Sequence, residues 1–140
     1  MSLIEFKNLP DTSTPLNAEN LNNNFNELDN KANYSTNEIV VGKWIDNKKI
    51  YRKVYQTTLP NNLAPNGWVD MFELKNVSSV IKICGFLTKA DGQFPIPRYE
   101  NSGYFIELRY NTSAQYISAI GNGFGGQSVV IILEYTKNDE

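Results

Sequence analysis

The chain has 140 residues, a net charge of −2 and a single cysteine, Cys84, but no histidine. The small charge and the scattered basic residues argue against a nucleic-acid partner. One cysteine excludes an internal disulfide, and the missing histidine removes the commonest general base and metal ligand. No apolar run is long enough to span a bilayer, and Met1–Pro10 lacks the pattern of a signal peptide. We therefore expect one domain with a modest core and an appendage, no membrane insertion, no cofactor and no metal.

The first 33 residues divide into an extended, turn-rich arm (1–13) and a predicted helix (14–33). Thr14 can cap this helix with its hydroxyl, and Pro15 suits the first helical position. Apolar residues then recur at spacings of three and four: Ala18, Leu21, Phe25, Leu28 and Ala32. The seven asparagines between Asn17 and Asn30 disfavour the helix by about 4 kcal/mol in total. Another surface must therefore cover the apolar stripe.

Two partners for this stripe are possible. The stripe could pack on the chain's own C-terminal domain, or it could pair with copies of itself in a short parallel coiled coil. The narrow two-in-seven seam favours the coiled coil, and Phe25 at a core position suits three strands better than two. The sequence therefore predicts an oligomer whose oligomerisation residues are the five members of the stripe.

After Asn33 the apolar pattern changes to period two, which is typical of strands. Asp46 and Asn47 predict a hairpin turn, because asparagine tolerates a positive φ. The segment Val77–Leu87 is apolar on both faces and predicts a central strand. The predicted strands are 38–41, 43–45, 50–56, 68–74, 77–87, 104–110, 116–120 and 128–136.

These elements predict a mainly β protein with one N-terminal helix. Its short trimeric coiled-coil neck precedes an antiparallel β-sandwich head of jelly-roll-like type. The predicted domains are the arm (1–13), the neck (14–33) and the head (34–140). On the last strand, Val130 and Ile132 lie opposite the inward-facing residues, and contact with a neighbouring subunit would explain their apolar character.

Two loops, Lys89–Ser102 and Gly121–Gln127, are candidates for ligand binding. Arg98 and Tyr99 could offer a charge and a stacking face, although they could equally cover the sheet edge. Phe124 is either an exposed contact or a plug against the sandwich. The predicted ligand-binding residues are Asp91, Arg98, Tyr99, Asn101, Asn122 and Phe124.

Catalysis is the weaker alternative. A glycan-cleaving enzyme needs two opposed carboxylates, one of them with a raised pKa. The sequence offers Glu73, Glu100, Glu107 and Glu134, but they form no recognisable acid–base motif. Asp91-Gly92 lacks the surrounding carboxylates of a calcium site. We therefore expect neither an enzyme nor a metal site.

Three stretches resemble small tail proteins from bacteriophages and prophages of Gram-positive bacteria: Phe6–Asn22, the hairpin Val41–Val54 and the closing strand Val130–Lys137. The family pattern usually has glycine where Asn47 stands. The resemblance covers both ends of the chain and is thin from Leu59 to Gln127. It implies a homotrimeric tail-fibre or baseplate receptor-binding protein of the virion, made in the host cytoplasm. The arm would bind other tail or baseplate proteins, and the head a host cell-wall saccharide. A structural baseplate or neck component without a host ligand is the alternative.

Overall fold

In the computed structural model, the residues described are 22, 28–29 and 33–138. The elements formed by these residues are all strands. In chain order they are β1 (Ile39–Lys43), β2 (Lys49–Thr58), β3 (Val69–Glu73), β4 (Val77–Lys89), β5 (Gly92–Ile96), β6 (Arg98–Tyr99), β7 (Phe105–Asn111), β8 (Tyr116–Asn122) and β9 (Ser128–Lys137).

The strands form two antiparallel sheets. The large sheet has the order β1-β2-β9-β4-β5, and the small sheet has the order β3-β8-β7-β6. The closing strand β9 lies between β2 and β4, where it pairs Ile131 with both Tyr55 and Gly85. As predicted, β4 lies inside a sheet, between β9 and β5.

Side chains from both sheets meet in one core. Ile131 and Leu133 of the large sheet and Ile106 and Ile117 of the small sheet have no exposed surface and belong to the same cluster. Their neighbours along each strand point the other way, because successive side chains of a strand alternate between faces. The predicted mainly β head with two antiparallel sheets is therefore observed.

The hairpin between β1 and β2 follows the sequence closely. The backbone N–H of Trp44 donates to the carbonyl of Lys48 at 2.8 Å, and Asn47 adopts φ = 67°. Asparagine tolerates this left-handed conformation better than most residues, so the turn does not need a glycine at this position.

The structure corrects the predicted fold class in its helical part. The described residues form sheets and no helical element, so the helix and the coiled-coil neck predicted for 14–33 are not part of the observed fold. Asn22, Leu28 and Asp29 have helical backbone geometry, and the other residues of 14–32 lie outside the described residues. The helix prediction gave five apolar positions more weight than the seven intervening asparagines, whose propensity opposes a helix.

Most of the predicted oligomerisation residues lie outside the described residues: Ala18, Leu21, Phe25 and Ala32. Leu28 is described and is 44% exposed in the single chain. The arm (1–13) also lies outside the described residues, and the division into residues 1–13, 14–33 and 34–140 stays a prediction.

A buried tyrosine of β9 is hydrogen-bonded to Glu38, the residue that precedes β1. Tyr135 is 1% exposed, and its hydroxyl donates a hydrogen bond to the carboxylate of Glu38, as does the ammonium of Lys137. Burial alone would raise the pKa of the Glu38 carboxyl. The hydrogen bonds from Lys137 and Tyr135 lower it by more than burial raises it, so this pKa lies below its ordinary value of 4.5. Burial and the Glu38 carboxylate together raise the pKa of Tyr135.

We expect Glu38→Gln to lower the free energy of unfolding at pH 7 by about 1–2 kcal/mol, because it weakens two hydrogen bonds to a charged acceptor. The pKa of Glu38 is lowered by folding, so its contribution is present above the unfolded pKa and is lost as the pH falls through the folded value. Urea titrations at pH 7 and at pH 3 measure this. Equal losses for the variant at both pH values would contradict the assignment.

Candidate functional site

The two loops predicted to bind a ligand do meet at one end of the sandwich. Lys89, at the end of β4, places its ammonium 3.8 Å from a carboxylate oxygen of Glu100 and 5.3 Å from the centre of the Phe124 ring. The structure therefore brings Lys89–Ser102 and Gly121–Gln127 together.

Phe124 is a plug in this structure. Its side chain has no exposed surface, and its ring meets the ring of Tyr104 edge-on at 6.2 Å. The preceding Gly123 has φ = 85°, and a Cβ at that position would lie 2.4 Å from the Tyr104 ring. Of the two alternatives for Phe124, the structure places the ring in the core and away from any surface ligand.

Arg98 and Tyr99 do not act as a pair. They are consecutive residues of the two-residue strand β6, so they point to opposite faces. The Arg98 guanidinium lies 3.9 Å from the centre of the Phe94 ring and bonds Glu100 at 2.9 Å. Arg98 is therefore a structural residue at the sheet edge, whereas Tyr99 is 65% exposed.

Tyr99 lies on a surface that we call the outer face of the small sheet. Strand pairing arranges this face in rows across β8, β7 and β6. The first row is Asn122, Phe105 and Tyr99, the second is Ile120 and Glu107, and the third is Ser118 and Arg109. The opposite side of the same strands carries core residues such as Ile106, so these rows point outward.

The Tyr99 ring is held in place from two sides. It lies nearly parallel to the Phe105 ring, with centroids 6.3 Å apart and an angle of 7° between the ring planes. Its hydroxyl donates a hydrogen bond to the carboxylate of Glu107. This hydrogen bond is the main reason why the pKa of the Tyr99 phenol is raised, with smaller contributions from burial and from the Glu107 charge. Any ordinary tyrosine phenol keeps its proton at neutral pH, so this hydroxyl is a donor there.

An open cleft of about 280 Å³ lies beside this ring, at the side of the sandwich where β6 ends. Its lining combines apolar core residues with two polar groups, Tyr99 and Glu107: the set is Ile83, Ile96, Pro97, Tyr99, Glu107 and Leu108. An apolar floor with a few placed polar groups is typical of small-ligand sites. We call this site the Tyr99 cleft.

The three remaining predicted residues, Asn122, Asn101 and Asp91, lie in different parts of the fold and do not line the Tyr99 cleft. Asn122 lies in the same row as Tyr99, with Phe105 between them. Asn101 is exposed in the turn that joins β6 to β7, and Asp91 is exposed in the turn that joins β4 to β5. The sequence therefore identified Tyr99 and Asn122 of this face but missed Phe105 and Glu107, whose alternating pattern indicated only an ordinary strand.

The four glutamates considered for catalysis all have partners. Glu73 bonds Lys75 at 3.0 Å, Glu100 bonds Arg98, and Glu134 bonds Arg52 at 3.4 Å. Glu107 accepts a hydrogen bond from the Tyr99 hydroxyl. Glu107 is also the one carboxylate among the described residues that line the Tyr99 cleft, so it has no opposed carboxylate there. Among residues 22, 28–29 and 33–138, no three acidic or cysteine side chains gather as metal ligands would. What the cleft offers chemically is an aromatic face, a phenol donor and a carboxylate acceptor.

No protein-family model, no curated protein and no solved structure matches this chain. The described part also contains no helix with the length and hydropathy needed to cross a bilayer. The fold and the site thus define a structural class of protein: a two-sheet antiparallel β-sandwich. A cleft with an aromatic and an acidic side chain lies at the edge of its small sheet.

Proposed function

We propose that this protein binds a saccharide in the Tyr99 cleft and serves as a receptor-binding protein of a bacteriophage tail. One observation supports saccharide binding above the others: a 65% exposed tyrosine ring stands beside an open cleft and next to a carboxylate. An aromatic face accepts the C–H side of a sugar ring, and a carboxylate accepts hydrogen bonds from its hydroxyls.

The resemblance to phage tail proteins supports the second part of the proposal. Two of the three resembling stretches contain parts of β1 and β2 and most of β9, and these strands are neighbours in the large sheet. The Tyr99 cleft instead lies within Leu59–Gln127, where the resemblance is thin. Receptor-binding proteins with different ligands need a shared scaffold and a variable binding surface. The division between the large-sheet strands and the Tyr99 cleft fits this need.

The proposal includes a homotrimer in the virion, with the arm bound to other tail or baseplate proteins. The outer face of the large sheet supports self-association, because Val130 and Ile132 are only half-buried there beside Phe86 and Cys84. Three heads that bind together can strengthen a weak saccharide contact by roughly 10²–10⁴-fold through effective concentration.

We expect Tyr99→Ala to weaken binding to host cell walls by about tenfold or more, since removing a central aromatic contact typically costs 1–2 kcal/mol or more. Fluorescent protein is incubated with intact Gram-positive cells and with purified wall polysaccharide, and the bound fraction is measured. Tyr34→Ala is the matched control, because Tyr34 is a comparably exposed tyrosine, at 59%, beside the large sheet.

Light scattering of each variant checks that its mass is unchanged, the proposed trimer having three times the 15.9 kDa of the chain. Unaltered wall binding by Tyr99→Ala would place the site elsewhere. Absence of binding by the unchanged protein to every wall tested would favour a structural tail component.

A further inference from the structure

Arg109 differs from the other two arginines of this chain because it has no counter-ion among the residues that the structure describes. Of the three arginines in the sequence, Arg52 bonds Glu134 at 3.4 Å and Arg98 bonds Glu100 at 2.9 Å. Within the described part of the chain, Arg109 has no carboxylate at ion-pair distance, and its buried Nε has no hydrogen-bond partner. A half-buried charge without a partner is costly, so this guanidinium calls for a chemical explanation.

The contact that positions Arg109 is a tryptophan. Trp68 precedes β3 and lies on the same outer face, and its ring centre is 4.4 Å from the guanidinium carbon. Stacking on an indole orients the planar guanidinium and leaves its edge available for hydrogen bonds. Of the guanidinium nitrogens of Arg109, Nε is the buried one that lacks a hydrogen-bond partner among the described residues.

The neighbouring carboxylates are engaged with hydroxyl groups and leave Arg109 unpaired. Glu107, two residues along β7 and therefore about 7 Å away, accepts the hydroxyl of Tyr99. Asp70 accepts the hydroxyl of Ser118 at 2.6 Å, and Ser118 lies between Asp70 and Arg109 in the strand pairing. Ser118, which pairs with Arg109 across β8 and β7, has no exposed surface.

We propose that Arg109 and Trp68 form a subsite for an anionic group, a carboxylate or a phosphate, on the ligand of the Tyr99 cleft. This inference rests on the proposed function and names its substrate class: an acidic saccharide. A guanidinium fork binds a carboxylate or phosphate through two parallel hydrogen bonds, which are stronger than those to neutral groups.

The spacing along β7 sets the size of this ligand. Phe105 pairs with Tyr99 and so marks the position of the Tyr99 ring along β7. Arg109 is four residues further along the same strand, a distance of about 14 Å. The sugar bound at Tyr99 and the acidic group bound at Arg109 therefore belong to different units of one chain, and the ligand is an acidic oligosaccharide.

The two tryptophans of the chain provide the readout. Trp68 lies on Arg109, whereas Trp44 lies in the hairpin after β1, so their indole N–H resonances act as probe and internal control. At constant ionic strength, we expect glucuronate and inorganic phosphate to shift the Trp68 resonance and leave that of Trp44 in place. Glucose is expected to shift neither, because it carries no charge. Glucuronate acting alone would show that the group is a carboxylate, and phosphate acting alone would show that it is a phosphate.

Substitutions at Arg109 test the assignment. We expect Arg109→Gln to abolish the anion-dependent shift and Arg109→Lys to weaken it about tenfold, since lysine keeps the charge but loses the paired hydrogen bonds. Lys43→Gln removes the same charge from an exposed position on β1 and is expected to change nothing. If Arg109→Gln does not fold, two measurements still test the assignment: the weaker shift expected for Arg109→Lys, and the preference of the unchanged protein for glucuronate or phosphate over glucose. No response of Trp68 to either anion, or an equal response to glucose, overturns the inference.

Tyr99→Ala separates this inference from the proposed function. The variant should lose wall binding yet keep the anion-dependent shift of Trp68, because Tyr99 does not contact Trp68 or Arg109. Wall binding that depends on Tyr99, combined with a silent Trp68, overturns the anionic subsite alone. A responsive Trp68 combined with wall binding that does not depend on Tyr99 overturns the Tyr99 cleft, and the inference that rests on it then reduces to an anion site.

Discussion

Gly85→Ala is expected to lower the free energy of unfolding by about 3 kcal/mol or more, because there is no room for a methyl group at the centre of the large sheet. A Cβ at this position would lie 2.1 Å from the carbonyl oxygen of Val130, 3.1 Å from its carbonyl carbon and 3.2 Å from the Cα of Ile131. These atoms belong to the backbone of β9, so no side-chain rotation can relieve the clash. Strand β4 would have to separate from β9.

The position of Gly85 between two strands makes this substitution more destabilising than adding a methyl group to an ordinary core side chain. Gly85 pairs with Ile131 of β9 on one side and with Ile96 of β5 on the other, so three strands must adjust together. Domains of this size have a total stability of about 5–15 kcal/mol. A loss of about 3 kcal/mol lowers the melting temperature by roughly 10 °C.

Gly67→Ala is the matched control, since a Cβ at Gly67 would meet nothing within 4 Å. We expect its stability to change by less than about 0.5 kcal/mol, as for most surface substitutions. Calorimetry or urea titration of both variants measures the difference. Similar melting temperatures for the two glycine variants would show that the large sheet is looser at Gly85 than its backbone distances indicate.

The sequence predicts this fold well where the apolar pattern is regular. Alternation identified the inward faces of β7 and β9, because a strand buried on one face must place its apolar residues at every second position. It failed at β5 and β6, which lie in the segment that contains Pro95 and Pro97. Proline interrupts the strand pattern, but an edge strand tolerates it where no ladder hydrogen bond is needed. The heptad-like stripe shows the converse, since five well-spaced apolar residues predicted a coiled coil that the described fold does not contain.

The candidate site was predictable in part for the same reason. Tyr99 and Asn122 could be singled out because an aromatic ring and an amide in predicted loops suit ligand binding. A pattern also tells which face of its strand a residue occupies. It does not tell which strands become neighbours. The rows that join Tyr99 to Glu107, and Trp68 to Arg109, depend on the order β3-β8-β7-β6, and this order is set by pairings between distant segments.

Phe124→Ala is the second change for which we expect a large effect, and it separates a core residue from a ligand contact. The side chain has no exposed surface and belongs to the shared core, so truncation should cost about 3–5 kcal/mol. The protein that remains folded should bind host cell walls as before. Tyr99→Ala should show the opposite pattern, with stability nearly unchanged and wall binding lost, because its ring is mostly exposed. Urea titration and wall binding, measured on both variants well below their melting temperatures, distinguish the two roles. A Phe124→Ala protein that is as stable as the original but no longer binds would instead mean that the Gly121–Gln127 loop opens, and that the phenylalanine itself contacts the ligand.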